Sequence, residues 1–548
     1  MTSETFYAMA ILLSLLNAFV LCLTAYKFFH TYQLNNYHLE RFMNWFKNTN
    51  GKYFSRLAVM SIISTAVLLV VNVLFGEYLD GVFAFVGLIF YFVVFIIFIT
   101  HENRIPKKKP LAFTTRVIRL YCTLGIIAFF FSIGLFSLTY YLATVSEFFK
   151  VLGFSTISLS PIVLPFLTVF AALIMLPYER LRYVHYKKKS YKVLSERKDL
   201  IKIGITGSYG KTSVKNFLAQ ILSKKYDVLP TPASYNTPMG ISKAITKLKP
   251  EHQIFIAEMG ARNVGNIREL CELVEPQYAI ITGIGNQHLE TFRLIDNIKR
   301  EKFELIKCLP KDGFAVVSSD SEGSAEMAKR GDVPCPVVIS GLSGDNAYAN
   351  ASNLICGKDG STFTLKIDGK EIACSTVLLG RHSISNITAA AALAYKLGVT
   401  LEDISDAISE IKPVIHRLEL IVNPNNITVI DDTFNASVEG TQAALETLAM
   451  FEGRKIVITP GLVELGVKER EINKDFGVRM AKICDRVFLI GEMRSAPIHE
   501  GLVEAGFPET CISVYNSLKE VKSVLKKELK VGDIVLWEND LPDDYNEN

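Results

Sequence analysis

Five apolar runs, Phe6–Tyr26, Leu57–Phe75, Val82–Thr100, Leu120–Ala143 and Ile157–Leu176, crowd the first third of the chain. Each is about the twenty residues a helix needs to cross the hydrocarbon core of a bilayer, where every backbone N–H and C=O must be satisfied within the segment. One such run could be a buried helix of a soluble core. Five of them predict an α-helical membrane domain of five spans over residues 1–180. The first run has no basic leader and no small-residue cleavage site, so it reads as a retained span and not as a signal peptide.

Basic residues set the expected orientation. Lys27, Arg41, Lys47, Lys52 and Arg56 fill the first loop, and Arg104, Lys107, Lys108, Lys109 and Arg116 the third. The second, Gly76–Gly81, has none and the fourth only Lys150, while Arg180, Arg182, Lys187, Lys188, Lys189 and Lys192 follow the last run. Positive loops stay inside, which puts the N-terminus outside and everything after about Leu176 in the cytoplasm of a multi-pass cell-membrane protein. The run Arg180–Lys192 could also rest on anionic headgroups, although a stop-transfer flank explains it as well.

The second constraint is Gly204-Ile-Thr-Gly-Ser-Tyr-Gly-Lys-Thr-Ser213. A β-rich run, Leu200–Ile205, enters it and a helical pattern, Val214–Lys224, leaves it. Strand, glycine loop and helix in that order make a phosphate cradle. Gly207, Ser208, Tyr209 and Gly210 would turn their N–H groups inward, the helix would add its positive end, Lys211 would reach the outer phosphates, and Thr212, followed by Ser213, would ligand Mg²⁺. Ile205 stands where the common P-loop has its first glycine.

The net charge of +4 is small for 548 residues, and the basic residues cluster beside apolar runs, which excludes nucleic acid as the indicated partner. Nine scattered cysteines, without a Cys-x-x-Cys pair, fit a reducing compartment.

Beyond Leu200, β-rich runs alternate with helical patterns, the rhythm of an α/β, mostly parallel sheet with helices on both faces. Ligands gather at the C-terminal ends of such strands. Glu258 ends one strand and His288 follows another, so both are expected to be accessible there; as single residues a helix cap and a hydrogen-bonded structural histidine explain them better, and with the phosphate loop a hard-cation set of Thr212, Glu258 and phosphate oxygens becomes the better reading. A small antiparallel addition is expected over Gly341–Leu379, and an alanine-rich helix over Ile387–Lys396. A second α/β unit follows Lys412-Pro413, its first strand Ile427–Ile430 ending in Asp431-Asp432. The expected domains are 1–180, 181–413 and 414–548.

Together the motifs resemble the Mur ligases, the ATP-dependent amide-forming enzymes of peptidoglycan precursor synthesis. The matches are Thr206–Ser213, Tyr235-Asn-Thr-Pro-Met-Gly240, Ala257-Glu-Met-Gly-Ala261, His288-Leu-Glu290, Lys302-Phe-Glu304, Gly380-Arg-His-Ser-Ile-Ser-Asn386, His416-Arg-Leu-Glu419 and Asp431-Asp-Thr-Phe-Asn435, in family order. The resemblance implies a P-loop central domain and a C-terminal Rossmann-like α/β domain. It implies that Lys211 and Thr212, with Glu258, hold the phosphates and a first Mg²⁺, and that His288 and a carbamylated Lys302 hold a second. Asn236 would sit by the phosphates and Asn386 by the adenine, with Arg417 and Asp432 reaching the nucleotide from the last domain. Lys211, His288, Lys302 and Arg417 are thereby the catalytic candidates. Read from residue identity alone, Lys302 is equally an exposed helix lysine.

Two departures bear on the substrates. The family's N-terminal domain for the uridine nucleotide is replaced by the apolar region, and its Lys-Gly-Ser type segment reads Leu536-Trp-Glu-Asn-Asp-Leu-Pro-Asp543 here. The expected reaction uses ATP and Mg²⁺ to activate the carboxylate of a cell-envelope peptide precursor for attack by an amino acid or dipeptide. Aromatic residues Tyr32, Tyr37, Trp45, Phe46 and Tyr53 among basic ones suggest a membrane-lipid partner and a lipid-linked precursor. A poly-γ-glutamate-type synthase, a membrane transport ATPase and an inactive scaffold are the alternatives.

Overall fold

The computed structural model describes residues 3–35, 37–48, 52–75, 82–103, 110–145, 153–321, 323–324, 326, 333–342, 347–422, 426–434 and 436–541. The predicted loop Gly76–Gly81, the loop cations Arg104, Lys107, Lys108, Lys109 and Lys150, and Asn435, Pro542 and Asp543 lie outside the described residues. The chain forms two compact units, one holding the apolar helices up to Arg182 and one running from Tyr183 to Asp540.

In the first unit the apolar runs are helices. Ser3–Thr24 continues after a break as Tyr26–Leu34, and Lys52–Phe75, Val82–Asn103 and Thr115–Val145 follow. The last run opens as a 3₁₀ segment, Gly153–Val163, around Pro161, and proceeds as Leu164–Glu196. Among the described residues four stretches, Ala10–Leu34, Tyr53–Val71, Thr115–Leu142 and Ile157–Glu196, are long and apolar enough to cross a membrane. Within the remaining helix the described apolar stretch, Ile89–His101, is shorter. The unit exposes apolar side chains, with Phe19, Phe130 and Phe166 each at least 60% exposed, and encloses a small polar cluster within an apolar core. At its centre Asn17 donates to Ser132 Oγ (2.9 Å) and accepts from Tyr91 OH (2.9 Å) and Ser160 Oγ (3.1 Å). One side chain thus ties four segments by interhelical hydrogen bonds, as lipid-embedded bundles do.

Leu164–Glu196 extends past the predicted end of the last span, so the basic run Arg180–Lys192 is helical. Lys187 meets Glu269 (3.6 Å) and Glu272 (3.5 Å), and Tyr183 donates to Glu269 (2.5 Å), so part of that run faces protein carboxylates instead of headgroups.

The second unit contains two sheets. The first takes β1 (Ile201–Thr206), β2 (Val228–Pro230), β3 (Ile254–Glu258), β4 (Tyr278–Ile281), β5 (Phe314–Ser318), β6 (Val337–Gly341), β7 (Ala349–Gly357), β8 (Gly360–Ile367) and β9 (Lys370–Thr376) in the order β2-β3-β1-β4-β5-β6-β7-β8-β9. Pairing is parallel through β7 and antiparallel across β7-β8-β9. The antiparallel addition therefore extends the main sheet instead of standing apart. β1 is central, with β3 and β4 beside it and helices on both faces, which is why its apolar residues run on instead of alternating.

The second sheet takes β10 (Glu419–Val422), β11 (Thr428–Asp432), β12 (Lys455–Thr459), β13 (Arg486–Ile490), β14 (Ile512–Tyr515) and β15 (Ile534–Glu538) in the order β10-β11-β15-β12-β13-β14. It is parallel except for β10 against β11. The short β10 precedes the strand expected to be first, and β11 ends in Asp431 and Asp432 as expected. The alanine-rich helix begins at Arg381, so Asn386 lies within it.

Candidate active site

Gly207-Ser-Tyr-Gly210 carries the chain from β1 into the helix Lys211–Leu222. Neighbouring strands clamp this loop. Ser208 N–H donates to Gly283 O (2.8 Å), Ser208 Oγ to Gly285 O (3.1 Å) and Thr282 Oγ1 to Tyr209 O (2.5 Å). Gly210 has φ +78°, and a Cβ there would stand 2.6 Å from Asn386 Oδ1, so both the left-handed backbone and the approach of Asn386 require glycine. No side chain caps the helix, which leaves its first N–H groups directed at whatever sits in the loop.

Lys211 donates to Gly207 O (2.8 Å) and Ser208 O (2.9 Å). Desolvation, opposed by Glu258 and reinforced by the charges of Arg417 and Arg262, pulls its pKa down to about 8. Thr212 Oγ1 donates to Glu258 Oε2 (3.0 Å), and Ser213 follows on the same helical turn. Glu258 is 1% exposed, which overturns the expectation of an accessible carboxylate. The reason is Lys215, one helical turn past Lys211, whose Nζ stands 3.1 Å from Glu258 Oε2 and also donates to Ala233 O. Asn236 Nδ2 binds the other Glu258 oxygen (3.1 Å), while its carbonyl receives Gly260 N–H (2.8 Å).

His288 has φ +62° and precedes the short helix Leu289–Phe292. It is half-buried, and its Nδ1 meets Glu464 Oε2, while Glu464 Oε1 accepts from Arg262 (3.0 Å). Desolvation lowers the His288 pKa against the pull of Glu464, with Arg262 and Lys302 adding to the fall. Lys302 is 2% exposed, so it is no surface lysine. Burial, with the field of Lys211, brings its pKa down to about 7. Its neighbour Glu301 is engaged elsewhere, accepting from Gly265 and Ile267 N–H (both 2.7 Å) at the start of Asn266–Val274.

The second sheet completes the site. Arg417 lies over the Phe434 ring at 5.1 Å, and its charge is felt at Glu258, Lys211 and Lys215. Asp432 is buried and accepts from Leu418 N–H (3.2 Å). Burial raises its pKa to about 6, with Arg417 opposing. Sequence reasoning missed Lys215, Arg262, Glu439 and Glu464. Helical phase was the available signal for Lys215, which shares a face with Leu218, Ala219 and Leu222; for the two glutamates there was none, because their partners are tertiary.

Thr212 Oγ1 and the Glu258 carboxylate form an oxygen pair of the kind Mg²⁺ takes, with Lys215 balancing the charge behind it. The chemistry of the donors fits that ion. A glycine loop with an uncapped helix N-terminus, a lysine and a hydroxyl on it, and an arginine supplied from beside the second sheet define a P-loop phosphoryl-transfer enzyme.

Comparison with known proteins narrows the class. Residues 205–394 match the Mur ligase middle domain, and residues 416–538 match the Mur ligase glutamate ligase domain. The chain is similar to the UDP-N-acetylmuramoyl-tripeptide--D-alanyl-D-alanine ligase of Bacillus subtilis, 30% identical over 339 residues that cover 61% of this chain and 72% of that protein. The enzyme of the same description from Escherichia coli is 30% identical over 299 residues, 54% of this chain and 65% of the relative. Among solved structures, MurF from Acinetobacter baumannii superposes with TM-score 0.58 at 25% identity, over 66% of this chain and 78% of that one. MurF of Thermotoga maritima in complex with ADP gives 0.58 at 24%, over 65% and 80%, and shows the same fold. The chain belongs to the Mur ligase family.

Proposed function

We propose that this protein is an ATP-dependent, ADP-forming ligase of the MurF type, which joins the carboxylate of a peptidoglycan peptide precursor to an amine. The observation that carries the reading is the convergence of Lys211, Thr212 and Glu258 with Arg417, which comes from the other sheet.

The N–H groups of Gly207 to Gly210 and the helix end hold the polyphosphate, with Asn236 beside it, Asn386 by the adenine and Asp432 with Arg417 on the nucleotide. Lys211 and Arg417 neutralise charge on the γ-phosphoryl group while the substrate carboxylate attacks it, giving ADP and an acyl phosphate. An amine then attacks the acyl carbon, forming the amide and releasing phosphate. Mg²⁺, held by Thr212 and Glu258 and at a second position by His288 and carbamylated Lys302, supplies further charge neutralisation. A pKa near 7 leaves about half of Lys302 uncharged at neutral pH, against almost none for an ordinary lysine, and the uncharged amine is the form that adds CO₂, which supports the carbamate. The same burial explains His288 as held for its place beside Glu464.

The domains we assign are a membrane domain over 1–180, a central ATP-binding domain over 181–413 and a C-terminal domain over 414–548. Val82–Asn103 supplies the fifth span of a multi-pass protein whose N-terminus is outside and whose ligase domains are cytoplasmic. The precursor is lipid-linked and reaches the ATP site from the inner leaflet. Supporting this, the membrane domain has an open apolar groove of about 240 Å³ lined by Phe42, Met43, Phe46, Phe166, Val169 and Phe170, of a chemistry that suits a hydrocarbon chain.

ADP release by the purified full-length protein tests the reading. A muramoyl tripeptide and D-alanyl-D-alanine should support it together and neither alone, and Lys211→Ala should abolish it. ADP release indifferent to the amine would return the transport ATPase. Equal rates on lipid-linked and UDP-linked tripeptide, retained without residues 1–180, would remove the lipid carrier.

A further inference from the structure

β11 and β15 pair in parallel with Asp432 beside Glu538, so the two carboxyl groups leave the same face of the sheet. Two residues back on each strand, Ile430 and Leu536 share one core with Ala444, Leu445 and Leu448 of the helix Val438–Ala449. Both carboxyls therefore sit beneath that helix, at the C-terminal strand ends where α/β sheets collect ligands. Glu538 is 0% exposed, and neither of its oxygens has a hydrogen-bond partner among the described residues. Glu439, in the first turn of the same helix, also has an oxygen without a partner, and its carboxyl lies against Gly285, three residues before His288. This wall of the site is lined by carboxyl groups.

A fully buried carboxyl with no partner is destabilising, and an apolar residue would have filled its place at less cost. The charge acting on Glu538 is that of Asp432, of like sign, and together with burial it holds the Glu538 carboxyl well above the usual range. Arg417 acts on Asp432, and Glu538 is left without a cation. The ligase reaction brings one, because the amine substrate arrives as an ammonium with three N–H donors and no acceptor.

We propose that Glu538, beside Asp432, forms the subsite that receives the ammonium group of the incoming amine. The inference rests on the ligase reading above and adds to it where the second substrate docks and what that subsite selects. A cationic nitrogen is accepted there, and an uncharged isostere is not. Glu538 lies in the segment that departs from the family's Lys-Gly-Ser pattern.

The test is equilibrium binding to the full-length protein with a non-hydrolysable ATP analogue and Mg²⁺ present. The probes are D-alanyl-D-alanine, its hydroxyl isostere D-lactyl-D-alanine, and 1,5-diaminopentane. The wild type should hold at least one amine about tenfold or more tighter than the isostere, as a charge-assisted hydrogen bond to a buried carboxylate implies. Glu538→Gln should reduce that preference to within about threefold by the logic of a double-mutant cycle, with nucleotide affinity unchanged. Its thermal midpoint should be no lower than the wild type's, whereas a carboxyl kept for structure would lower it. A preference that survives Glu538→Gln, or a wild type that prefers no amine over the isostere, overturns the subsite. Binding is read without turnover, so a failure to form ADP would count against the ligase reading alone.

Discussion

Lys215 and Glu258 form an ion pair from which solvent is excluded on both sides, with side chains 0% and 1% exposed and Nζ 3.1 Å from Oε2. A buried pair of this kind gives little net stability, because desolvation offsets the attraction, yet removing one partner strands the other charge. Its value is positional. With Lys215 on one side and Thr212 and Asn236 on the others, the Glu258 carboxylate is held in one orientation toward the phosphate loop.

Lys215→Met should accordingly cost about 3 kcal/mol, within the range for breaking buried pairs. A double variant, Lys215→Met with Glu258→Leu, should recover most of that loss while remaining without turnover. Chemical denaturation of the three proteins measures it. A double variant as unstable as the single one would show that the pair is held by something other than mutual charge compensation.

Lys302 has a pH signature. An unfolded lysine keeps its proton to about pH 10.4, whereas the buried one loses it near 7. Between those values the unfolded chain binds one more proton, so this residue makes stability rise with pH across that window. Below about 7 the full penalty of burying the ammonium applies. Lys302→Met removes it, so in CO₂-free buffer the variant's stability advantage should be largest below pH 7 and shrink as pH rises toward 10. Thermal midpoints at intervals of about half a pH unit would show this; a constant difference would mean that Lys302 titrates as an exposed lysine.

Gly210→Ala confronts two obstacles, φ +78° and the Asn386 oxygen 2.6 Å from the new Cβ. The left-handed backbone alone costs about 1–2 kcal/mol in a residue with a Cβ. We expect KM for ATP to rise about tenfold or more. Adding Asn386→Ala should return only the part due to the collision, which separates backbone strain from packing. Full recovery in the double variant would show that the loop conformation tolerates a side chain.

The phosphate loop was legible because its residues are contiguous and its strand and helix announce themselves by composition. Glu258 and His288 were legible as strand-end residues but not in their surroundings. Helical phase puts Lys215 on the buried face with Leu218, Ala219 and Leu222, but nothing in the sequence names the glutamate at the end of β3 as its partner. Lys302 could have been read better. It shares a helical face with Ile298, Leu305 and Ile306, and that phase argued for burial against the charged residues around it. β10 escaped because a four-residue strand bracketed by left-handed residues, His416, Leu418 and Asn426, carries no periodicity of its own. Five apolar runs were visible as such, and each is helical in the structure apart from the 3₁₀ start imposed around Pro161.

Glu464 is the residue through which the second sheet's domain grips the first. From the loop after β12 it accepts from Arg262 at 3.0 Å, meets His288 through its other oxygen, and gives its carbonyl to Glu290 N–H at 3.1 Å. The side chains of Arg262 and Glu464 are 39% and 23% exposed, so the pair itself is worth at most about 1 kcal/mol. That is enough to shift an opening equilibrium severalfold, since 1.4 kcal/mol is a factor of ten. Opening exposes Arg417, which lies against Phe434 in the closed arrangement, and trypsin can report it, because cleavage after Lys412 is blocked by Pro413. Glu464→Ala should therefore speed the cut after Arg417 severalfold in the free protein. ATP with Mg²⁺ should slow it in both proteins, because Arg417 is then held on the nucleotide. A cleavage rate that neither the substitution nor the nucleotide changes would mean that the two domains do not separate on the way to exposing Arg417.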